Sequence, residues 1–257
     1  MILAIDCGNT HITVGCIRED GNVASSFRIP TDKRETEYGY AAKLNQIFEL
    51  QKIEATAFAG AVISSVVPTL TDVLVRAVRL ITGKSALVVG AGVKTGLHIC
   101  INDPGTVASD LVAAAVAAKE TYPLPAIIVD MGTATTLTVV DEKSRYIGGA
   151  ILPGVGLSLS ALAEGTALLP DVDLHAPKSA IAVNTVESMR SGIVYGTAGS
   201  IDGLIDRFEA ELGQPAATIV ATGGIAPVIA PHCKHGMVLD EALLLKGLWI
   251  IWQKNQK

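Results

Sequence analysis

The chain opens with Leu3-Ala-Ile-Asp-Cys-Gly-Asn-Thr-His-Ile-Thr-Val14, and near its midpoint it repeats that pattern as Ile127-Ile-Val-Asp-Met-Gly-Thr-Ala-Thr-Thr-Leu-Thr-Val139. Each stretch is an apolar strand, followed by Asp-x-Gly, small hydroxyl-bearing residues and a β-branched segment. One copy alone is ambiguous, because Asp, Gly and Asn are ordinary turn residues. Two copies about half a chain apart indicate a duplicated fold with one motif in each half.

The segments around these motifs alternate between strand-like and helix-like patterns. In the first half the patterns predict strands and helices in the order Ile2–Cys7, His11–Ile17, Val23–Ile29, helix Tyr38–Leu50, Ala57–Val67, helix Leu70–Ile81 and Ala86–Val89. After a helix-like stretch over Thr106–Thr121, the second half repeats this order as Ala126–Asp130, Thr135–Val140, Tyr146–Ile151, helices Leu157–Glu164 and Thr185–Leu212, Thr218–Ala221 and helix Glu241–Trp249. The fold class is therefore predicted to be α/β, with two similar halves at residues 1–115 and 116–257.

Composition excludes several function classes. Aromatic residues make up only 4% of the 257 residues, too few for a platform that stacks single-stranded nucleic acid. The net charge is −5 and no cluster of Lys and Arg stands out, which argues against nucleic-acid and anionic-membrane partners. No apolar run is long enough to span a bilayer, and the N-terminus has no charged region typical of a signal peptide.

The four cysteines predict a reducing environment. Their spacings match no metal or redox motif, and a disulfide framework is not expected in a chain of this length. We interpret them as reduced thiols of a cytoplasmic protein.

The first Asp-x-Gly loop has the chemistry of a phosphate site. Gly8 lets the backbone approach a ligand, Asn9 and Thr10 offer side-chain donors, and backbone N–H groups in such a turn form an anion-binding concavity. A carboxylate beside it, here Asp6, typically holds Mg²⁺, often through water. The alternative is a plain hairpin turn. The second copy at Asp130 favours the functional interpretation, because two phosphate loops on similar lobes predict a nucleotide in a cleft between them.

Two further glycine motifs are less specific. Thr222-Gly-Gly224 follows an apolar run, and a glycine pair there suits the edge of a nucleotide site, where backbone passes close to an adenosine. The alternative is an ordinary turn that ends a strand. The motif Gly148-Gly-Ala-Ile-Leu-Pro-Gly154 is interpreted as structural.

Together these motifs resemble the type III pantothenate kinase family. The resemblance rests on stretches that occur in the family's order over nearly the whole chain, namely Asp6–Thr10, Asp130–Thr136, Gly148–Gly154, Thr166–Pro170, Asn184–Gly192 and Thr222–Gly224. It implies an actin-like fold of the acetate and sugar kinase superfamily, with two ribonuclease-H-like halves. It also implies a homodimer with the acceptor site near the dimer interface. The implied reaction is phosphorylation of pantothenate to 4'-phosphopantothenate by ATP, the first step of coenzyme A biosynthesis.

The stretch that carries catalysis departs from the family pattern. The family's Asn-Pro-x-Glu-Val-Gly-Ala-Asp-Arg aligns with Asp103-Pro-Gly-Thr-Val-Ala-Ser-Asp-Leu111, which keeps the catalytic Asp as Asp110. The departures include Thr106 for Glu, Ala108 for Gly, Ser109 for Ala and Leu111 for Arg, and a Tyr expected upstream is Ile101. These changes cluster around the acceptor and leave the nucleotide loops intact.

The resemblance assigns roles residue by residue. Asp110 is expected to be the base that accepts the acceptor's hydroxyl proton. Asp6 is expected to position Mg²⁺, Thr10 and Thr133 to donate to phosphate oxygens, and Asp130 to hold a monovalent cation, K⁺ or NH₄⁺. The nucleotide-binding residues are expected to be Asp6, Cys7, Gly8, Asn9, Thr10, His11, Ile12, Thr13 and Thr133, and the acceptor-binding residues Ile101, Ala108, Ser109, Asp110, Leu111 and Thr185.

Alternatives remain open from the sequence. Asp110 also fits an acid at a helix N-terminus, where the helix dipole favours negative charge. For the whole chain, three functions are compatible with the motifs. The first is a pantothenate kinase with an altered acceptor pocket. The second is a kinase of the same fold that acts on another small hydroxylated acceptor, and the third is a nucleotide-binding accessory or regulatory protein without kinase activity.

Overall fold

A computed structural model of the chain describes residues 1–256. By their contacts, these residues form two compact units. The first unit comprises Met1–Leu97, Asp103–Ala117 and the C-terminal residues from Ala242 onward, and the second comprises His98–Asn102 and Ala118–Glu241. Each unit is built on its own β-sheet.

The sheet of the first unit has five strands in the order β3-β2-β1-β4-β5. The strands are β1 (Ile2–Cys7), β2 (His11–Ile17), β3 (Val23–Pro30), β4 (Gly60–Ser65) and β5 (Ala86–Val88). The first three form an antiparallel meander, and β4 and β5 continue the sheet in parallel with β1.

Helices cover both faces of this sheet. They are α1 (Glu37–Leu50), α2 (Pro68–Thr82), the beginning of α3 (Ser109–Thr121) and α7 (Leu243–Lys254). Because side chains alternate across a strand, Leu3 and Ile5 point to the face where Tyr40 and Leu70 complete the main core. The opposite face packs on α7, where Leu245 occupies the space beside Gly15.

The sheet of the second unit repeats the strand order of the first. Its order is β11-β10-β7-β8-β9-β6. The strands are β6 (His98–Ile99), β7 (Ala126–Met131), β8 (Ala134–Val140), β9 (Arg145–Pro153), β10 (Thr218–Thr222) and β11 (Val238–Leu239). Strands β7, β8 and β9 form the antiparallel meander, and β10 and β11 follow in parallel, as β4 and β5 do. The one addition is the short β6, which pairs in parallel with the edge of β9.

The helices of the second unit are α4 (Val155–Gly165), α5 (Thr185–Leu212) and the single turn α6 (Ala226–Ile229). The long α5 begins where the side chain of Asn184 accepts the Glu187 N–H, and it ends at Gly213, which has a positive φ of 71°. Its apolar face, with Val194 and Ile201, packs on the buried side of β7 and β8.

The predicted α/β class with two similar repeats is confirmed, and most element boundaries agree within two residues. The predicted strand Ala57–Val67 is shorter in the structure, because Ala55–Ala57 form a 3₁₀ turn and Pro68 begins a helix. The division at residues 115 and 116 stays a prediction, and the contacts place the last helix with the first unit. In residues 1–256, no helix is both long enough and apolar enough to cross a membrane.

Candidate active site

The two Asp-x-Gly motifs occupy the same place in their repeats. Asp6 is the fifth residue of β1 and Asp130 is the fifth residue of β7, and both strands bury every residue except that Asp, which is half-buried. Hydroxyl-bearing residues lie beside both carboxylates on the neighbouring strands. Asp6 is paired in register with Thr13 and Ser64, and Asp130 with Thr136 and Thr222.

The first loop is a tight turn that leaves its polar groups exposed. The Gly8 N–H donates to the His11 carbonyl over 3.0 Å and closes the turn between β1 and β2. Thr31, which follows β3, stabilises the turn with two hydrogen bonds. Its hydroxyl donates to the Gly8 carbonyl over 2.7 Å, and its N–H donates to the Thr10 carbonyl over 3.0 Å. Asn9, Thr10 and His11 are exposed at this turn.

Other predicted nucleotide-binding residues in this stretch have buried side chains. Cys7 and Ile12 are fully buried in the core of the first unit. Burial raises the pKa of the Cys7 thiol to about 11, so it stays a neutral thiol at physiological pH. Thr13 is half-buried on the same face as Asp6. Cys7 and Ile12 can therefore serve a ligand only through their backbone.

The second loop is held by close backbone packing. The Gly132 N–H donates to the Ala134 carbonyl over 3.0 Å, and Thr133 is exposed at the tip. A Cβ at Gly154 would overlap the Thr133 carbonyl. At Gly223, where φ is +91°, a Cβ would lie 2.7 Å from the Asp130 Oδ1 atom. The glycine motifs around residues 148–154 and 222–224 therefore both pack against the second Asp-x-Gly loop.

Asp110 lies in the first turn of α3. Its Oδ1 atom accepts the Leu111 N–H over 2.7 Å, and the side chain is half-buried. Burial raises the pKa of this carboxyl above its ordinary value, and the hydrogen bond from Leu111 opposes the rise. Asp110 therefore does lie at a helix N-terminus, as its alternative interpretation requires. However, the raised pKa differs from that of an exposed first-turn acid and suits a group that takes up a proton.

A chain of hydroxyl groups connects this helix to Asp6. The Ser64 hydroxyl donates to the Asp6 Oδ1 atom over 3.0 Å, and the Ser64 and Ser109 hydroxyls are 2.9 Å apart. The Ser109 hydroxyl also accepts the Ser65 N–H over 3.1 Å. Sequence reasoning missed Ser64. The signal in the sequence was the pair Ser64 and Ser65 at the end of an apolar strand. The structure shows that this strand, β4, pairs in parallel with β1, which carries Asp6.

The predicted acceptor residues are distributed over both units. Ala108 precedes α3 and its carbonyl accepts the Val112 N–H over 3.1 Å, while Leu111 is half-buried in the first turn. Ile101 belongs to the second unit, where its side chain lies 4.0 Å from the position of a Cβ at Gly148. Thr185 is exposed at the start of α5.

Lys94 and Arg190 are the two candidate cations that could replace the Arg that the family pattern has at Leu111. Arg190 is already engaged, because its guanidinium pairs with Glu187 over 2.8 Å and donates to the Asp173 carbonyl over 3.1 Å. Lys94 is exposed in the first unit, with its backbone held by the side chain of Asn255.

The donor atoms present suit hard cations. Among residues 1–256, no group of three or more His, Cys, Asp or Glu side chains could form a protein-only metal cage. A single oriented carboxylate beside a turn with exposed polar groups fits Mg²⁺, which keeps several waters and shares its coordination with substrate phosphates. The four cysteines are free thiols, as the sequence predicts.

The two repeats, each carrying an Asp-x-Gly turn at the end of its first strand, define the fold of actin-like ATPases and sugar kinases. Solved structures with this fold cover 97–98% of the chain. They include a ROK family glucokinase from Streptomyces griseus in complex with glucose and AMPPNP, with a TM-score of 0.56 at 11% identity and 97% of that chain covered. The activator of 2-hydroxyisocaproyl-CoA dehydratase from Clostridium difficile with bound ADPNP has a TM-score of 0.58 at 12% identity, with 95% covered. A Campylobacter jejuni protein named as a Baf family transcriptional activator has a TM-score of 0.62 at 17% identity, with 98% covered.

Sequence comparisons are more specific. The sequence profile of type III pantothenate kinases matches residues 2–207. The chain is 42% identical over 255 residues to a type III pantothenate kinase from Moorella thermoacetica, covering 99% of this chain and all of that one. It is also 42% identical to those of Citrifermentans bemidjiense and Geobacter sulfurreducens, over the full length of both chains in each pair. The chain belongs to the type III pantothenate kinase family.

Proposed function

We propose that this protein transfers the γ-phosphoryl group of ATP to the hydroxyl group of pantothenate, giving 4'-phosphopantothenate and ADP in the first step of coenzyme A biosynthesis. Membership in the type III pantothenate kinase family supports this reaction. So does the retention of both Asp-x-Gly loops and of Asp110, the parts that phosphoryl transfer requires for positioning, charge neutralisation and orientation of the nucleophile.

The observation that carries the proposal is the arrangement of Asp6 and Asp110. Both are half-buried carboxylates of the first unit, and Ser64 and Ser109 connect the strand that bears one to the helix that bears the other. A kinase needs one acid on the phosphate side and one on the acceptor side. Asp6 and Asp110 are proposed to fill these two roles, held by one sheet and the helix that packs on it.

The proposed chemistry assigns one task to each group. Asp110 accepts the proton of the acceptor hydroxyl as that oxygen bonds to the γ-phosphorus, while the bond from phosphorus to the β–γ bridging oxygen breaks and ADP leaves. Thr10 and Thr133 donate to phosphate oxygens, together with backbone N–H groups of the two turns. Asp6 holds Mg²⁺, which when bound neutralises charge on the phosphates.

The acceptor pocket is proposed to bind pantothenate more weakly than a pocket with an Arg at Leu111. Pantothenate carries a carboxylate, and a guanidinium matches it with two charge-assisted hydrogen bonds. Leu111 offers neither charge nor donor, and Arg190 is engaged with Glu187. The other proposed contacts to the acceptor come from Ile101, Ala108, Ser109 and Thr185.

A monovalent cation, K⁺ or NH₄⁺, is proposed to bind at Asp130. This carboxylate is half-buried at the end of β7, beside the backbone carbonyls of the second turn. Carboxylate and carbonyl oxygens form the hard environment that such cations prefer.

A homodimer is proposed, with the exposed apolar surface of the second unit as its interface. Seven large apolar side chains between residues 147 and 183 are exposed, namely Ile147, Ile151, Leu157, Leu162, Leu168, Ile181 and Val183. These side chains are proposed to contribute to one apolar surface that the partner subunit covers, since large exposed apolar patches mark interaction sites. The proposed location is the cytoplasm, where the four free thiols remain reduced.

The test is ATP turnover by the purified protein with and without pantothenate, with the product identified by mass spectrometry. Pantothenate-dependent ADP release with formation of 4'-phosphopantothenate is the expected result. ADP release that requires a different hydroxylated acceptor would instead indicate a kinase with another substrate. ATP binding without turnover on any acceptor would indicate an accessory protein, the third function left open by the sequence.

A further inference from the structure

The hydroxyl chain between Asp6 and α3 has a defined direction. A serine hydroxyl has one proton to donate and two lone pairs to accept with. Since Ser64 gives its proton to the Asp6 Oδ1 atom, the 2.9 Å contact between the two hydroxyls requires Ser109 to be the donor and Ser64 the acceptor. The Ser109 oxygen in turn accepts the Ser65 N–H.

The hydrogen bond from Ser109 therefore affects the direction in which the Ser64 hydroxyl donates its proton. The carbonyl of Ser65 is an alternative acceptor for the Ser109 proton, but it lies 3.4 Å away, farther than the Ser64 hydroxyl. Ser64 is completely buried, so water cannot replace a lost partner without rearrangement. A Ser64 hydroxyl that accepts from Ser109 keeps its own proton directed at Asp6.

Ser109 also fixes the position of Asp110. It is the first residue of α3, and its hydrogen bonds attach that end of the helix to the last two residues of β4. Asp110 is the next residue. One side chain is thus linked through Ser64 to Asp6 and adjoins Asp110 in the sequence.

We propose that Ser109 is a positioning residue for phosphoryl transfer, acting through Ser64 on Asp6 and through the start of α3 on Asp110. The inference rests on the proposed function and gives the Ser109 hydroxyl a second role, in addition to the acceptor contact proposed for this residue. The family pattern has Ala at this position, so the chain has gained a hydroxyl where a methyl group is expected.

The first experiment is a double-mutant cycle read out by nucleotide binding. Wild type, Ser109→Ala, Ser64→Ala and the double variant are titrated with Mg²⁺ in the presence of a non-hydrolysable ATP analogue, using calorimetry. Ser109→Ala should raise the Mg²⁺ concentration for half-maximal binding about fivefold, the effect of losing one neutral hydrogen bond. In the Ser64→Ala background the same substitution should change it by less than about twofold, because Ser109 acts through Ser64.

The second experiment separates positioning from general stability. The same four proteins are unfolded thermally without metal or nucleotide, and Ser200→Ala serves as the control. Ser200 is an exposed serine of α5 whose hydroxyl donates to the Gly196 carbonyl. Ser109→Ala should lower the unfolding midpoint by about 2–4 °C. Ser109→Thr, which keeps the hydroxyl, should restore the Mg²⁺ response, and Ser200→Ala should leave that response unchanged.

The outcomes distinguish the two proposals. If the wild type binds the analogue with Mg²⁺ but does not phosphorylate pantothenate, the proposed function fails and the cycle still tests Ser109. Equal effects of Ser109→Ala in both backgrounds would show that it does not act through Ser64. A lower unfolding midpoint with an unchanged Mg²⁺ response would reduce Ser109 to a structural role, and a wild type that binds no nucleotide would overturn the inference.

Discussion

Replacing Asp110 by Asn gives the most direct test of the proposed mechanism. Asn keeps the shape of the side chain and an oxygen that can accept the Leu111 N–H, which the Asp110 Oδ1 atom accepts over 2.7 Å in the structure. The start of α3 should therefore stay intact. What Asn cannot do is accept the proton of the acceptor hydroxyl, so the loss should appear in turnover.

The expected decrease in kcat is about 10²–10⁴-fold, the contribution typical of a general base, which corresponds to about 2.7–5.4 kcal/mol of transition-state stabilisation. Nucleotide affinity should change little. In the wild type, kcat/KM should fall on acidification through the raised pKa of Asp110, because protonation removes the base. The residual activity of the variant should lack that acidic limb.

Asp110→Asn should increase the stability of the protein at neutral pH although it decreases turnover. Because burial raises the pKa of Asp110 above its ordinary value of 3.8, the folded protein holds this proton more tightly than the unfolded chain does. Protonated Asp110 contributes its full stabilisation at pH values below the pKa that it has in the unfolded chain. This stabilisation is lost as the pH rises through the higher pKa that Asp110 has in the folded protein. Asn does not ionise, so the variant should be more stable than the wild type at neutral pH, and this advantage should vanish toward pH 4 and below.

The assay compares kcat and denaturant unfolding for the wild type, Asp110→Asn and a matched control, Glu37→Gln. Glu37 is a first-turn acid of α1 in the same unit. The control should keep full turnover and lose at most about 1 kcal/mol of stability, through the helix dipole and the 3.7 Å ion pair of Glu37 with Arg76. If Asp110→Asn behaves like the control, with normal turnover and slightly lower stability, then Asp110 is only a helix-terminal acid and the reasoning is refuted.

Four further predictions concern the acceptor, the cation, the second loop and the interface. Leu111→Arg should lower the pantothenate KM by about 10–100-fold and leave the ATP KM nearly unchanged in steady-state kinetics, since a bond to a charged group contributes about 1.5–3 kcal/mol; no change would mean that the pocket has another anchor. Turnover should be faster in K⁺ or NH₄⁺ than in Na⁺ alone, and Asp130→Ala should abolish that difference; equal rates in all three cations would argue against the site. Gly223→Ala should cost about 2–4 kcal/mol in urea unfolding, because φ is +91° and the new Cβ would lie 2.6 Å from a backbone carbonyl at the end of β7; wild-type stability would contradict the tight packing. Ile151→Asp should shift the protein from dimer to monomer in analytical ultracentrifugation, whereas Leu50→Asp, an equally exposed change in the first unit, should not; a dimer unaffected by Ile151→Asp would place the interface elsewhere.

Much of the fold was predictable because its signals are local. The Asp-x-Gly turns and the apolar strands before them depend on neighbouring residues, and they repeat in both halves of the chain. For the same reason the motifs identified the family. Sequence reasoning missed β6, β11 and α6, which consist of two to four residues and carry no resolvable periodicity.

The candidate site was predictable only in part. The positions of Asp6, Asp130 and Asp110 follow from motifs, and the structure places them at strand ends and in a first helical turn as expected. Burial changed the interpretation of others. Ile12 is in the core, so its side chain cannot contact a nucleotide, and Arg190 is engaged in an ion pair.

By itself, the sequence determined the α/β class, the duplicated order of strands and helices, and membership in the type III pantothenate kinase family, because each of these depends on local pattern. Only the tertiary structure decided that the last helix packs with the first unit, and that Ser64 connects Asp6 to Ser109. Those contacts join residues 58 and 45 positions apart, and no local propensity specifies such pairs. They form because β4 lies parallel to β1 and carries its polar end to the same edge of the sheet, where α3 begins.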